Sequence, residues 1–341
     1  MVLCLNKYTL EVRGSLREYV IREVNSSSDG WSVLSTRSVP LKYCLYYNSA
    51  SRNSRQCINR SKMAKNDEEG VSKHAKLLSE FKAEESVSEI VPVNPFESWV
   101  APVAAQKVTL YNDSGEWVRE ITVGFKIQCF GVFDRKNFIL SDYSAKCIYK
   151  LSCEGELTKL ISTSPFSPNG IRVFPNDLGF VVCMVGTSGG KIVRYTHDGK
   201  SRTKTYQKDE RGHPLFKFPR RVVNNMNEDL IVVDIMFKSV ICVDKDGNLR
   251  WVYKGSLESR KNGIEFDPWD LDTNSKEEII ISNTKPNTVD VLSKDGSFLM
   301  YLVTKLDGIS RPLGICVDSE GKLWVGQASG KVCIFNYLNE G

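Results

Sequence analysis

The chain has 341 residues, 41% of them hydrophobic, which suffices for two ordinary domains or one large repeat domain with a real core. Its 46 Lys and Arg oppose 41 Asp and Glu, but unevenly: residues 1–70 hold 11 basic and 7 acidic side chains, and residues 71–341 hold 35 and 34. The near-neutral second part argues against a strong binder of phosphate backbones at the whole-domain level, so no DNA partner is expected.

Ten cysteines are scattered with no C-x-x-C pair, and the only histidines are His74, His197 and His213. Zinc modules need clustered thiolates and imidazoles, so no metal or other cofactor is expected. Several cysteines sit in apolar runs such as "VVCMV" and "KVCIF". They read as small buried hydrophobes in a reducing, cytoplasmic setting. The opening "MVLCLNKYTLEVRG" lacks the apolar run of a signal peptide, and no window approaches the length of a membrane span, so no membrane partner is expected. The Asn-x-Ser matches at Asn25, Asn59 and Asn112 then read as chance.

In chain order, residues 1–74 are expected to be a poorly structured tail. The stretches "YTLEVRGSL" and "LKYCLYY" are strand-like, but "NSASRNSRQCINRSKMAKNDEEG" (48–70) is polar and aperiodic, and Met63 offers an alternative start. From about residue 75 a repeat sets in. Turn glycines fall at 115, 155, 199, 247, 296 and 341, spaced 40 to 49 residues apart. Short strands at that period are the signature of a β-propeller with one four-stranded blade per repeat.

The strands of each repeat can be read directly. "PLGICVD" (312–318), "KLWVGQ" (322–327) and "SGKVCIFNYL" (329–338) form one set, and the segments 219–247, 168–199 and 268–296 repeat the order. Segment 128–155 starts with Gln128 where the others have Pro, and 87–115 is the most degraded. Outer strands follow five of the turns, at 116–121, 156–161, 200–206, 248–253 and 297–302. No strand follows Gly341. The orphan segment "AKLLSEFKAE" (75–84) is therefore expected to supply it, pairing beside 331–338 and closing a ring of six blades over residues 75–341. The alternative for 75–84 is a helix.

The pattern in "RPLGICVDSEGKLWVGQASGKVCIFNYL" (311–338) resembles the NHL repeat. Segments 212–234 and 240–255 look like the propellers at the C-terminus of tripartite-motif (TRIM) proteins. The resemblance is strong in the last four blades and weak in the first. It implies an all-β, six-bladed propeller that selects a protein partner for a ubiquitin ligase or acts as an adaptor, with RNA as the alternative ligand. The RING and B-box of that family are absent from this sequence, so the chain itself is expected not to be an enzyme. The expected contact residues lie in loops that open the inner strands: Lys217, Arg220, Arg221, Arg260, Lys261, Trp269 and Arg311. Arginine and aromatic side chains suit protein contacts and RNA alike.

A further resemblance points elsewhere. "SPNGIRVFPND" (167–177) is similar to a stretch of calcium-dependent lactonases, where the residue matching Asn169 binds the metal. The matching positions in other repeats are Arg220, Trp269 and Leu313, which do not complete an oxygen ligand set. No nucleophile constellation is visible, and "TSGGK" (187–191) lacks the spacing of a phosphate loop.

Overall fold

The structure is a computed structural model. It describes residues 2–5, 8–13, 18–27, 30–40 and 75–337 apart from 103, 135–136 and 175–178. The chain divides into two compact units, residues 1–65 and 66–341. In the first, β1 (Val2–Leu5), β2 (Tyr8–Arg13), β3 (Glu18–Ser27) and β4 (Gly30–Pro40) pair in sequence order as an antiparallel meander. The strand-like piece at Tyr8 thus finds partners on both sides. The polar stretch 48–70, with Met63, and His74 lie outside the described residues.

The second unit is a β-propeller. Its first blade contains β6 (Glu89–Asn94), β7 (Glu97–Ala101), β8 (Ala105–Asn112) and the start of β9 (Trp117–Asp134). The second takes the rest of β9, then β10 (Asn137–Asp142), β11 (Cys147–Ser152) and β12 (Leu157–Ser162). Blade three is β13 (Ser167–Val173), β14 (Phe180–Gly186), β15 (Gly189–Tyr195) and β16 (Arg202–Tyr206). Blade four is β17 (Pro219–Asn224), β18 (Leu230–Asp234), β19 (Ser239–Val243) and β20 (Leu249–Tyr253). A short helix α1 (Leu257–Lys261) leads to blade five, with β21 (Pro268–Thr273), β22 (Ile279–Asn283), β23 (Thr288–Leu292) and β24 (Phe298–Val303). The sixth comprises β25 (Pro312–Val317), β26 (Leu323–Gln327), β27 (Lys331–Asn336) and, as its outer strand, β5 (Lys76–Lys82).

Strand formation follows composition. The second and third strands of a blade are sandwiched between neighbouring sheets, so both of their faces are buried. This is why "LIVVD" and "SVICV" are near-continuous apolar runs rather than alternating ones. Outer strands have one wet face and alternate, as in "LRWVY". The hairpins before the outer strands of blades one to five are built the same way. A short polar side chain opens the turn and accepts backbone N–H groups beyond it, as Asp244 Oδ1 does from Asp246 and Asn248. Gly247 sits at φ 98°, a left-handed conformation that favours glycine.

Core packing joins blades into a ring. Val181, Cys183 and Ile192 of blade three pack with Val222, Val232 and Ile241 of blade four. Equivalent clusters fill every other gap between successive blades. The last one sets Trp324, Val332 and Ile334 of blade six against Ile90 and Val100 of blade one. Each fully buried apolar side chain contributes about 1.5–3 kcal/mol. Gly170 and Gly314 permit the close approach of inner strands. A Cβ at Gly170 would lie 2.1 Å from the Arg220 carbonyl oxygen, and one at Gly314 would lie 2.7 Å from the Ser88 backbone.

Candidate functional site

Because each blade is an up-and-down meander, its inner strand starts at one end of the ring. The connections between blades and the hairpins between second and third strands share that end. The seven residues singled out from sequence all belong to it, but they divide into two groups.

Arg220 and Arg221 are buried, with 5% and 9% exposure, and they face the ring axis. This corrects the expectation that they are displayed to a partner. The reason is register. In the inner strands Glu89, Cys129, Gly170, Arg221, Asp270 and Gly314 occupy matching positions that point inward. Gly170 and Gly314 let the neighbouring inner strands close in, and the Arg221 guanidinium reaches across to the polar side chains at this level. Its Nε donates to Asp270 Oδ1 at 2.7 Å, one Nη donates to Cys129 Sγ at 2.8 Å and the other to Glu89. One side chain thus ties blade four to blades one, two and five. Arg220 stacks on the Trp269 ring, 3.9 Å from its centroid, with one Nη 3.8 Å from Glu89 Oε1.

The electrostatics are those of a closed cluster. Burial raises the Glu89 carboxyl, while Arg221 and Arg220 pull it back. Burial lowers Arg220, and Arg221 stands well above the ordinary arginine value because Asp270 and Glu89 outweigh its desolvation. The Cys129 thiol is pushed up to about 12 by burial and then by Glu89, which keeps it protonated and unreactive. Asp270 also accepts from the Ile315 N–H at 3.1 Å, extending the network to blade six.

The metal-ligand candidate is spoken for as well. Asn169 is 1% exposed, accepts from Gln128 Nε2 at 2.9 Å and donates to the Pro219 carbonyl at 3.0 Å. The counterpart Leu313 is buried and apolar. Among the described residues no group of three or more His, Cys, Asp or Glu side chains is placed to hold a metal ion. A cation on the axis would also meet the fixed positive charge of Arg221. Of the two described histidines, His197 stacks on Phe133 and His213 is an exposed loop residue beside Asp209.

The second group lies in the loops of blades four to six. Lys217, Arg260, Lys261 and Arg311 are exposed, and Trp269 is half-buried. With them, and not anticipated from sequence, are exposed apolar side chains: Met236 at 55%, Phe237 at 39%, Leu257 at 61%, Ile264 at 44% and Leu306 at 61%. Asp234, fully buried at the end of β18, shapes part of this surface. Its carboxylate accepts from the backbone N–H groups of Lys217 and Phe218 through one oxygen and of Met236 and Phe237 through the other. Ser256 caps α1 by accepting from the Ser259 N–H, which fixes Leu257, Arg260 and Lys261 on a rigid turn.

These loops are stitched together across three blades. Glu265 pairs with both Lys238 and Lys285. The Arg311 N–H donates to Asn287 Oδ1 at 2.6 Å, and the Arg311 carbonyl accepts from Ala328. The result is one continuous surface with apolar centres and a cationic margin. That combination fits a macromolecular contact better than a solvated loop surface.

No family model matches this sequence, and no curated protein does. Solved structures do share its fold. A streptogramin B lyase is 16% identical over 77% of this chain and 97% of its own, with a TM-score of 0.54. A putative gluconolactonase is 14% identical over 78% and 92%, at 0.58. The WD40 propeller domain of Doa1 is 13% identical over 78% and 97%, at 0.54. At such identities the likeness is one of fold, and the fold makes this chain a β-propeller protein. It also corrects the expectation that the chain is not an enzyme, because the same architecture carries a lyase and a putative lactonase. The propeller fits a protein-interaction module, as the WD40 comparison illustrates, without that use being exclusive.

Proposed function

We propose that the chain binds a protein partner in the cytoplasm through the loop surface of blades four to six. Its role is that of the partner-selecting part of a tripartite-motif-type ubiquitin ligase, or of an adaptor. One observation carries the reading: the exposed Met236, Phe237, Leu257, Ile264 and Leu306 on a surface braced by Glu265, Asn287 and Asp234. A preorganised surface loses little side-chain freedom on binding, which is what a specific contact requires. The resemblance to NHL repeats supports the ligase-linked form, and seven free described cysteines, six of them buried, fit the reducing compartment. The RNA alternative is weakened, since Arg220 and Arg221, the central cations of the sequence argument, are occupied inside the ring.

The test is proximity labelling and affinity capture from cells. It compares the wild-type chain, a triple variant (Met236→Ser, Leu257→Ser, Leu306→Ser) and a control, Met226→Ser, exposed at the opposite end of blade four. The triple variant should lose its enriched partners at least about tenfold, and the control should keep them. An identical partner set for all three would defeat the proposal.

A further inference from the structure

The two ends of blades four to six differ sharply in charge. The six loops at the candidate surface, 207–218, 235–238, 254–267, 284–287, 304–311 and 328–330, contain ten Lys and Arg against six Asp and Glu. The five turns at the opposite end, 225–229, 244–248, 274–278, 293–297 and 318–322, contain four Lys against nine Asp and Glu. A near-neutral domain is therefore polarised, net +4 at one end of these blades and −5 at the other.

A groove of about 340 Å³ runs along the outer rim between blades four and five, from the cationic end to Gly296 in the turn 293–297 of the opposite end. Val252, Leu257 and Phe298 supply its apolar lining, and Lys254 and Arg260 stand at its edge. Val252 and Leu257 are 44% and 61% exposed. On the inner side Tyr253 is held by its hydroxyl to Asp290 Oδ2 at 3.2 Å. The Tyr301 hydroxyl bonds Ser256 and Ser259, so the α1 wall is anchored as well.

Resting on the proposed partner-binding reading, we infer the chemistry of what docks there. The occupant is an acidic peptide segment that seats one bulky apolar side chain in this groove, with flanking Asp or Glu residues against Lys254, Arg260 and Lys261. Charge complementarity selects the sign at the part of the groove that carries Lys254 and Arg260, where the loops of these blades are net cationic. The groove selects the anchor, because an apolar pocket lined by Val252, Leu257 and Phe298 beside Lys254 and Arg260 rewards a buried aromatic or leucine side chain. A nucleic acid fits less well. Glu265 already engages Lys238 and Lys285, and Arg220 already covers the Trp269 ring, so neither those cations nor that ring is left open to phosphates and bases.

The experiment is fluorescence anisotropy on the full chain with synthetic probes. One peptide carries a central Trp flanked by Asp and Glu, a second replaces the Trp by Ser, and a third replaces the acids by Lys. Oligouridine is the fourth probe. The acidic Trp peptide should bind, weaken as salt rises, and exceed each of the others by at least about tenfold. Lys254→Ser with Arg260→Ser, and separately Leu257→Ser, should each reduce its affinity to a similar degree, while Met226→Ser should not. Equal binding of the lysine peptide, preference for oligouridine, or no binding of the acidic Trp peptide would overturn the inference. The captures described above distinguish the two levels. Partners lost in the triple variant, with no acidic-peptide binding, leave the surface standing and remove its chemistry. Partners unchanged remove both.

Discussion

At the residue level the decisive side chain is Arg221. It neutralises two buried carboxylates, from blades one and five. Arg221→Ala should lower stability by about 3–5 kcal/mol, since Glu89 and Asp270 would remain buried without their cation. The cost should depend on pH, with a sign that follows from burial. Burial already raises the Glu89 carboxyl, and removing Arg221 raises it further above its unfolded value near 4.3. A raised folded-state carboxyl binds protons more tightly than the unfolded chain, so the variant gains stability as pH falls from 7 towards 4. Urea unfolding of both proteins at pH 7 and pH 4.5 measures the gap, which should narrow at the lower pH. A gap that is constant or absent would show that the cluster is not electrostatic. The sequence displayed these residues without their arrangement. "PRR" looks like a solvated loop motif, and only the register of the inner strands reveals that Arg221 shares a level with Glu89 and Asp270. Aligning the four inner strands that begin with Pro puts Arg221 level with Asp270, but the strands of Glu89 and Cys129 lack that Pro, so their register shows only in the structure. The exposed Met236 and Phe237 gave no such signal, because an apolar pair beside the run "LIVVD" reads as its continuation.

Among elements, β5 has the largest task for its length. It pairs with β27 across most of the chain, with Phe81 opposite Val332 and Lys82 opposite Lys331. Phe81 also packs on Tyr111 and Trp324, with ring centroids 5.2 and 6.4 Å away, bridging the sixth blade to the first. Gly115 lies under it so closely that a Cβ there would collide with the Phe81 side chain. Phe81→Ala should therefore cost about 2–4 kcal/mol and release the outer edge of blade six, which is an unpaired strand edge once β5 frays. Hydrogen exchange should then speed up selectively at the amides of β27, while β18 and β22 keep their protection. Uniform acceleration across all blades would instead mean that the ring opens only by global unfolding. Blade periodicity was legible because turn chemistry and apolar runs repeat locally. The continuity of β9 was not. The sequence suggested an outer strand at 116–121 and a separate inner strand near Gln128, but the chain runs extended from Trp117 to Asp134. With a connection this short, an extended path crosses between blades without a turn.

For the whole propeller, net charge is a poor guide to behaviour. The full sequence is formally +5 at pH 7, which taken alone forecasts rejection by an anion exchanger. The distribution forecasts otherwise. The acidic turns at one end carry Asp244, Asp246, Asp295, Asp318 and Glu320, and the turns of blades one and two add Asp113, Glu116, Glu154 and Glu156 at the same end. Charges grouped at one end meet a matrix first when the protein approaches by that end, while the opposite charges stand farther from it by the length of a blade's strands, so orientation lets the acidic end dominate the contact. The chain should therefore be retained on a quaternary-ammonium matrix at low ionic strength and pH 7 despite its positive total. Replacing Asp246, Asp295 and Glu320 with their amides should advance its elution. Replacing Lys217, Arg260 and Arg311 with Ser should leave that retention nearly unchanged and weaken retention on a sulfonate matrix instead. If both sets of substitutions shift both columns alike, total charge governs and the ends of the ring do not act independently. Two independent shifts would establish that a partner approaching from solution meets a surface already oriented by sign, before any apolar contact forms.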